Sequence, residues 1–312
     1  MGHYREQLAS FDLHTLPDLD TALFAALELC AEEVLPSLDH VPRFRILVVG
    51  SGNANAVGRL LFEGADVFSA DEGTFEAVLD THREDIDAVV LISASGGKHA
   101  VQCARVLAER GLPLWLLTNN PAAPAAQYVE TSRVIVFPKN REPYTYNTST
   151  YFSMLCARHV VDAAALTERV HAQTAGCAAR DLSQFDAFYF IVPPSMEPVR
   201  DMLLTKFDEL FGSVVSARIT TYEQAKHAKT VVPSAKECFV SFGTENEVFG
   251  DAAHRVHIPM QRERDAIELA ALGYACIGHI QRQHPPHFKE HIARYTQEAS
   301  LMFGQTIKPI VE

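Results

Sequence analysis

The sequence predicts an α/β protein made of two tandem doubly wound parallel sheets flanked by helices, and three observations carry that expectation. Near-continuous Val/Ile/Leu runs alternate with stretches of helical periodicity. Two of those runs, Phe44 to Val49 and Val89 to Ile92, end in turns of small residues that open a helix. After a polar linker, Arg180-Asp181-Leu182-Ser183, the same alternation begins again.

Taken in order, Leu16 to Leu38 has apolar residues at helical spacing and reads as a long opening helix that stops at the Pro42 region. Phe44 to Val49 is a strand, Gly50-Ser51-Gly52-Asn53 its turn, and a helix starts near Asn55. The turn resembles the opening of a dinucleotide fingerprint. It lacks the third glycine, and no acidic residue follows at a ribose-binding distance, so no nicotinamide cofactor is expected. Val67 to Ala70 is a short strand ending at Asp71-Glu72, and Phe75 to Leu79 is helical. The strand Val89 to Ile92 then delivers Ser93-Ala94-Ser95-Gly96-Gly97-Lys98 to a helix over Ala100 to Glu109. Such a turn suits an anion: backbone N–H groups, the positive end of a helix, two hydroxyls and an ammonium converge there. A tight turn whose serines only cap the helix fits the same residues.

Leu112 to Leu117 and Val134 to Phe137 are further strands, with Thr118-Asn119-Asn120-Pro121 as a loop between them, and one long helix runs from about Thr148 into the 170s. Beyond the linker, Ala187 to Val192, Val214 to Ile219, Glu237 to Phe242 and Arg255 to Pro259 read as strands. Pro198 to Phe211, Arg264 to Gln281 and His287 to Met302 read as helices. The turn Pro193-Pro194-Ser195 stands where the first half has its glycines and offers fewer N–H donors. The expected domains are therefore 1–180 and 184–312.

Composition narrows the partners. Lys and Arg number 27 against 39 Asp and Glu, a formal charge of -12 without long single-sign blocks, which disfavours nucleic acid and anionic membranes. No apolar run approaches a membrane span, and the first residues lack a signal-peptide core. The six cysteines (30, 103, 156, 177, 238 and 276) are scattered without a CxxC, which fits reduced thiols in a cytoplasmic protein. His284, His287 and His291 cluster around a proline pair that interrupts any shared helical face, so no metal is expected.

Four stretches, in this order, carry a family resemblance: Val48-Val-Gly-Ser-Gly-Asn53, Ile92-Ser-Ala-Ser-Gly-Gly-Lys-His99, Leu116-Leu-Thr-Asn119 and Glu142-Pro-Tyr-Thr-Tyr-Asn-Thr-Ser-Thr150. Together they resemble the sugar isomerase (SIS) domain, and the whole chain resembles two such domains in tandem. The resemblance implies flavodoxin-like SIS domains whose S-x-S-G-x-T turn binds the phosphate of a phosphosugar. It carries Gly52, Asn53, Ser93, Ser95, Lys98, Thr118, Glu142, Asn147, Thr148 and Lys206 into the substrate-binding set. Lys98 stands where the family has Thr, so the anion is a phosphate or another group such as a sugar carboxylate.

In the second half, Lys206-Phe-Asp-Glu209 resembles the family's K-x-x-E segment, Tyr222-Glu-Gln-Ala-Lys-His227 its E-x-x-H segment, and Thr306-Ile-Lys308-Pro-Ile-Val-Glu312 its C-terminal tail. The implied roles are Glu209 as the base between sugar C1 and C2, His227 as the ring-opening residue and Lys308 as a sugar-contacting cation. Aldose–ketose isomerisation through an enediol needs those three kinds of group and no metal or cofactor. Taken singly, Glu209 and Lys206 read as solvated helix residues, His227 as a loop histidine and Lys308 as a tail lysine. The expected activity is phosphosugar isomerisation; a fructosamine-phosphate deglycase and a non-catalytic phosphosugar sensor are the alternatives. Gly2 is no nucleophile, so glutamine-dependent amination is not expected. The family pairs as homodimers with a histidine shared across the interface, which His227 would supply.

Overall fold

The computed structural model describes residues 2–194, 196–228, 232–262 and 264–312. Ser195 of the Pro193-Pro194-Ser195 turn lies outside the described residues. In chain order the elements are α1 (His3–Ser10), α2 (Leu19–Glu32), β1 (Ile46–Gly50), α3 (Asn53–Leu61), β2 (Val67–Ala70), α4 (Phe75–His82), β3 (Ala88–Ile92), α5 (His99–Glu109), β4 (Leu114–Thr118) and β5 (Val134–Val136). They continue with β6 (Glu142–Pro143), α6 (Thr148–His159), α7 (Ala163–Ala178), β7 (Ala187–Val192), α8 (Glu197–Phe211), β8 (Ser216–Thr221), α9 (Tyr222–Ala228), β9 (Glu237–Phe242), β10 (Arg255–Ile258), α10 (Ala266–Gln283), α11 (His287–Phe303) and β11 (Ile310–Val311).

The strands form two larger sheets, both parallel. The first has the order β2-β1-β3-β4-β5, with Val48 opposite both Ser69 and Val90. The second has the order β10-β9-β7-β8. Numbered within their own halves and read from β8, its strands run 2-1-3-4, the start of the first sheet's 2-1-3-4-5. A sheet of this order reverses direction between its first and third strands, and ligands bind outside the carboxyl ends at that point.

The residues pack as two compact units: Leu29–Asn140 with Asn147–Val161, and Met1–Glu28 with Arg141–Tyr146 and Asp162–Glu312. In the first, Leu47, Val49, Val89, Leu91, Leu114 and Leu116 line one sheet face and meet Phe75 and Leu79 of α4 and Ala104 and Leu107 of α5. Each such side chain removed from water contributes about 1.5–3 kcal/mol. In the second, Tyr189, Ile191, Phe239, Ala225 and Phe249 cluster on one side of the sheet. Residues 266–281 of α10 are buried without exception, with Glu268, His279 and Gln281 among them.

Several boundaries differ from the sequence reading. The opening helix is shorter, Leu19–Glu32, because Leu35 precedes Pro36 and the residue before a proline is pushed out of helical backbone. A separate helix, α1, precedes it; Glu28 caps its start by accepting hydrogen bonds from Tyr4 N at 3.2 Å and Arg5 N at 2.8 Å. The single helix expected from Thr148 is two. Val160 turns left-handed at φ 50° and ends α6, and the Asp162 carboxylate accepts from Ala165 N at 3.0 Å to start α7. His227 sits on a short helix, α9, not in a loop. Among the described residues one pairing is antiparallel: β11 lies against β6, with Ile310 opposite Pro143 and Val311 opposite Glu142.

Candidate functional site

Two groups of polar residues stand out, one in each unit. The first lies at the carboxyl ends of β1, β3 and β4. Gly50 closes β1 where a side chain cannot fit, since a Cβ would come within 2.8 Å of the Ala54 and Asn55 backbone in the returning first turn of α3. Gly52 takes φ 53° and ψ -123° at the helix N-cap. Asn53 follows with 6% exposure, and neither its side-chain oxygen nor its nitrogen has a hydrogen-bond partner among the described residues. A buried amide left unpaired costs about 1–3 kcal/mol.

At the end of β3 the serines fold back on their own turn. Gly96 N donates to the Ser93 hydroxyl at 3.2 Å, and Gly97 N donates to the Ser95 hydroxyl at 3.2 Å. The two glycine amides expected to face an anion are therefore engaged with Ser93 and Ser95 in this state. The loop after β4 braces the turn: Thr118 donates its hydroxyl to Ala94 O at 2.8 Å, and Asn120 Nδ2 donates to Ser95 O at 2.9 Å. Thr118 is fully buried, so it supports the turn from behind. Asn119 Nδ2 likewise donates to Thr150 Oγ1 at 2.6 Å. Thr148 is fully buried in the first turn of α6, and Asn147, its N-cap, is left-handed at φ 49°.

Lys98 repeats the Gly52 backbone, φ 49° and ψ -127°, at the N-cap of α5. For a residue with a Cβ that conformation costs on the order of 1–3 kcal/mol. Burial also holds its ammonium below the usual lysine range. Lys98→Gly is expected to raise stability by roughly 1 kcal/mol, the relieved strain exceeding the entropy that glycine adds to the unfolded chain. A urea midpoint at or below wild type would show that the chain bears the lysine there without strain.

The second group is built on α8. Lys206 is fully buried, donating to Thr145 O at 2.7 Å and to Glu209 Oε2 at 2.6 Å. The Glu209 side chain retains 26% exposure. Burial pushes its carboxyl above the ordinary glutamate range, and the Lys206 ammonium pulls back against that shift. The outcome is a carboxylate held ready to take a proton. The rings of Tyr144 and Tyr295 lie with their centroids 6.0 Å apart. Both phenols are raised, chiefly by burial and also by the Glu209 charge.

Other residues expected in the site stand differently. Glu142 is buried in β6 against the tail strand. His227 on α9 is exposed, as is Lys308 in the tail before β11. Lys206 is not the solvated helix residue that its type suggests. The residue types of Tyr144 and Tyr295 do not single them out in the sequence, although Tyr144 lies inside the stretch Glu142 to Thr150.

No protein-family model matches the sequence, and no curated protein matches it. Solved structures do share its fold. A glucosamine-6-phosphate deaminase from Thermotoga maritima is 14% identical with a TM-score of 0.62, covering 85% of this chain and 92% of its own. A tagatose-6-phosphate ketose/aldose isomerase from Escherichia coli is 14% identical with a TM-score of 0.56, covering 90% and 92%. The C-terminal domain of a glucosamine-fructose-6-phosphate aminotransferase from Francisella tularensis is 12% identical with a TM-score of 0.54, covering 91% and 96%. The chain is thus similar over nearly its whole length to these proteins in fold, and its two parallel sheets flanked by helices are the architecture they share.

Proposed function

We propose that this chain is a phosphosugar aldose–ketose isomerase that moves a proton between adjacent sugar carbons through an enediol. The observation that carries the proposal is the Glu209 carboxyl, raised by burial and held by a buried ammonium at 2.6 Å. The solved structures of like fold whose names specify sugar phosphates support the substrate class. In this reading Glu209 is the base, and the Ser93, Ser95 and Lys98 turn, with Gly52 and Asn53, reads the phosphate. An entering anion would take over the two long glycine–serine hydrogen bonds and give the orphaned Asn53 amide a partner. Two sugar-isomerase modules spanning 1–180 and 184–312, pairing as a cytoplasmic homodimer, belong to the same proposal, as do roles for Glu142, Asn147, Thr148, His227 and Lys308.

The test is a thermal-shift panel of fructose 6-phosphate, tagatose 6-phosphate and glucosamine 6-phosphate beside their parent sugars. A ligand at a hundred times its Kd stabilises by about 2.7 kcal/mol, a readily measured rise in midpoint. The phosphates are expected to raise it, and Ser95→Ala with Lys98→Ala to erase most of that rise while leaving the parent sugars unaffected. Equal losses for both ligand types would mean that the turn does not read phosphate. Release of an amine from a fructosamine 6-phosphate without isomerisation would move the assignment to the deglycase.

A further inference from the structure

Glu209 alone does not account for an enediol. When a base removes the C2 proton, negative charge develops on the carbonyl oxygen, and a preorganised donor at that oxygen lowers the barrier further. The ordinary family candidates on this chain, His227 and Lys308, are both exposed. A different donor, the Tyr144 phenol, belongs to the residue before Thr145, whose carbonyl shares the Lys206 ammonium with Glu209.

We propose that the Tyr144 phenol is a second catalytic group, donating a hydrogen bond to the substrate's carbonyl oxygen as it becomes an enediolate; this rests on the isomerase reading above. Its backbone is fixed on both sides. Tyr144 N donates to Pro309 O at 2.8 Å, continuing the ladder in which Ile310 pairs with Pro143 and Val311 with Glu142. The next residue, Thr145, holds its carbonyl on the same Lys206 ammonium that grips Glu209, and its own backbone is left-handed at φ 79°. Two residues on, the Tyr146 hydroxyl donates to Pro17 O at 2.9 Å and accepts from Gln281 Nε2 at 3.2 Å. These contacts fix the backbone that carries the Tyr144 ring, next to the Thr145 carbonyl held by the same ammonium as Glu209. The Tyr295 ring, half exposed on α11, covers one side of the Tyr144 ring.

The chemistry suits a phenol in that position. Burial and then the Glu209 charge both raise Tyr144, so it keeps its proton and acts as a donor through the neutral range. In the forward direction the C2–H bond breaks and its proton goes to Glu209. The electron pair becomes the C1=C2 bond, and the carbonyl pair moves onto O1, where the Tyr144 hydroxyl meets it. The O2 hydroxyl then passes its proton to O1, C2=O forms, and C1 takes the proton back from Glu209. Tyr144 ends as it began.

The experiment is deuterium wash-in from heavy water, at C1 of fructose 6-phosphate and tagatose 6-phosphate and at C2 of glucosamine 6-phosphate, followed by NMR in wild type and Tyr144→Phe. The phenylalanine keeps the ring packing and removes only the donor. Losing one donor to a developing oxyanion is expected to slow exchange by about 10²–10³-fold with KM little changed. Affinity for 5-phospho-arabinonohydroxamate, a planar enediolate mimic, should fall by a comparable factor, while sorbitol 6-phosphate binds as before. Undiminished exchange and unchanged hydroxamate affinity in Tyr144→Phe overturn the Tyr144 proposal and leave the isomerase reading intact. Absence of exchange in wild type overturns both.

Discussion

Glu209→Gln is expected to slow proton exchange at C2 of the aldose and C1 of the ketose by roughly 10²–10⁴-fold, the usual contribution of a positioned general base. The substitution is close to isosteric, and its amide oxygen can still accept from the Lys206 ammonium that now sits 2.6 Å from the carboxylate. The scaffold of α8 therefore stays in place, and phosphosugar-induced thermal shifts should match wild type. Loss of rate without loss of binding is the pattern of a group that acts only in the transition state. An exchange rate in Glu209→Gln equal to wild type would remove the residue from the mechanism, whatever its electrostatic setting.

Much of the architecture was legible because buried parallel strands declare themselves as unbroken apolar runs. Val89 to Ile92 and Ala187 to Val192 are strands as read, and parallel pairing follows once strands alternate with helices. Less legible were features held by tertiary contacts. Nothing in Val160-Val161-Asp162 announces a helix stop, since a β-branched residue at φ 50° is among the least expected ways to end one, and only Asp162 hints at the restart. The pairing of Ile310–Val311 with Glu142–Pro143 is two residues long, too short for any alternation to be seen. Within the candidate site, Lys206 could have been found. It falls in the stripe Val199, Met202, Leu203, Phe207, Leu210, which is the buried face of α8, and a lysine on that face needs an anion. Glu209, three residues on, is the one within reach. Tyr144 and Tyr295 are brought together by folding alone, and no spacing rule joins them.

Lys206→Met is the second substitution with a large expected effect, because it changes both the stability and the working pH of Glu209. Burial raises the Glu209 carboxyl and Lys206 opposes that rise, so removing the ammonium while keeping its volume drives the carboxyl further up. The acid limb of the pH–rate profile then moves to higher pH, and activity falls most where wild type has just become ionised. Stability follows the same sign. A carboxyl raised in the folded state binds more protons folded than unfolded between its two pKa values. Its contribution is fully present below the unfolded value and is lost as pH rises through the folded one. Lys206→Met extends that loss to higher pH. Severing a fully buried pair costs about 3–5 kcal/mol, and the 26% exposure of the Glu209 side chain reduces this to roughly 1–3 kcal/mol at neutral pH. Urea unfolding across pH 4 to 9 of wild type, Lys206→Met, Glu209→Gln and the double variant measures it. The double variant, with no charge left to strand, should recover most of the loss. If Lys206→Met leaves both the acid limb and the pH slope of stability unmoved, the ammonium does not set the protonation of Glu209, and the carboxylate's readiness has another origin.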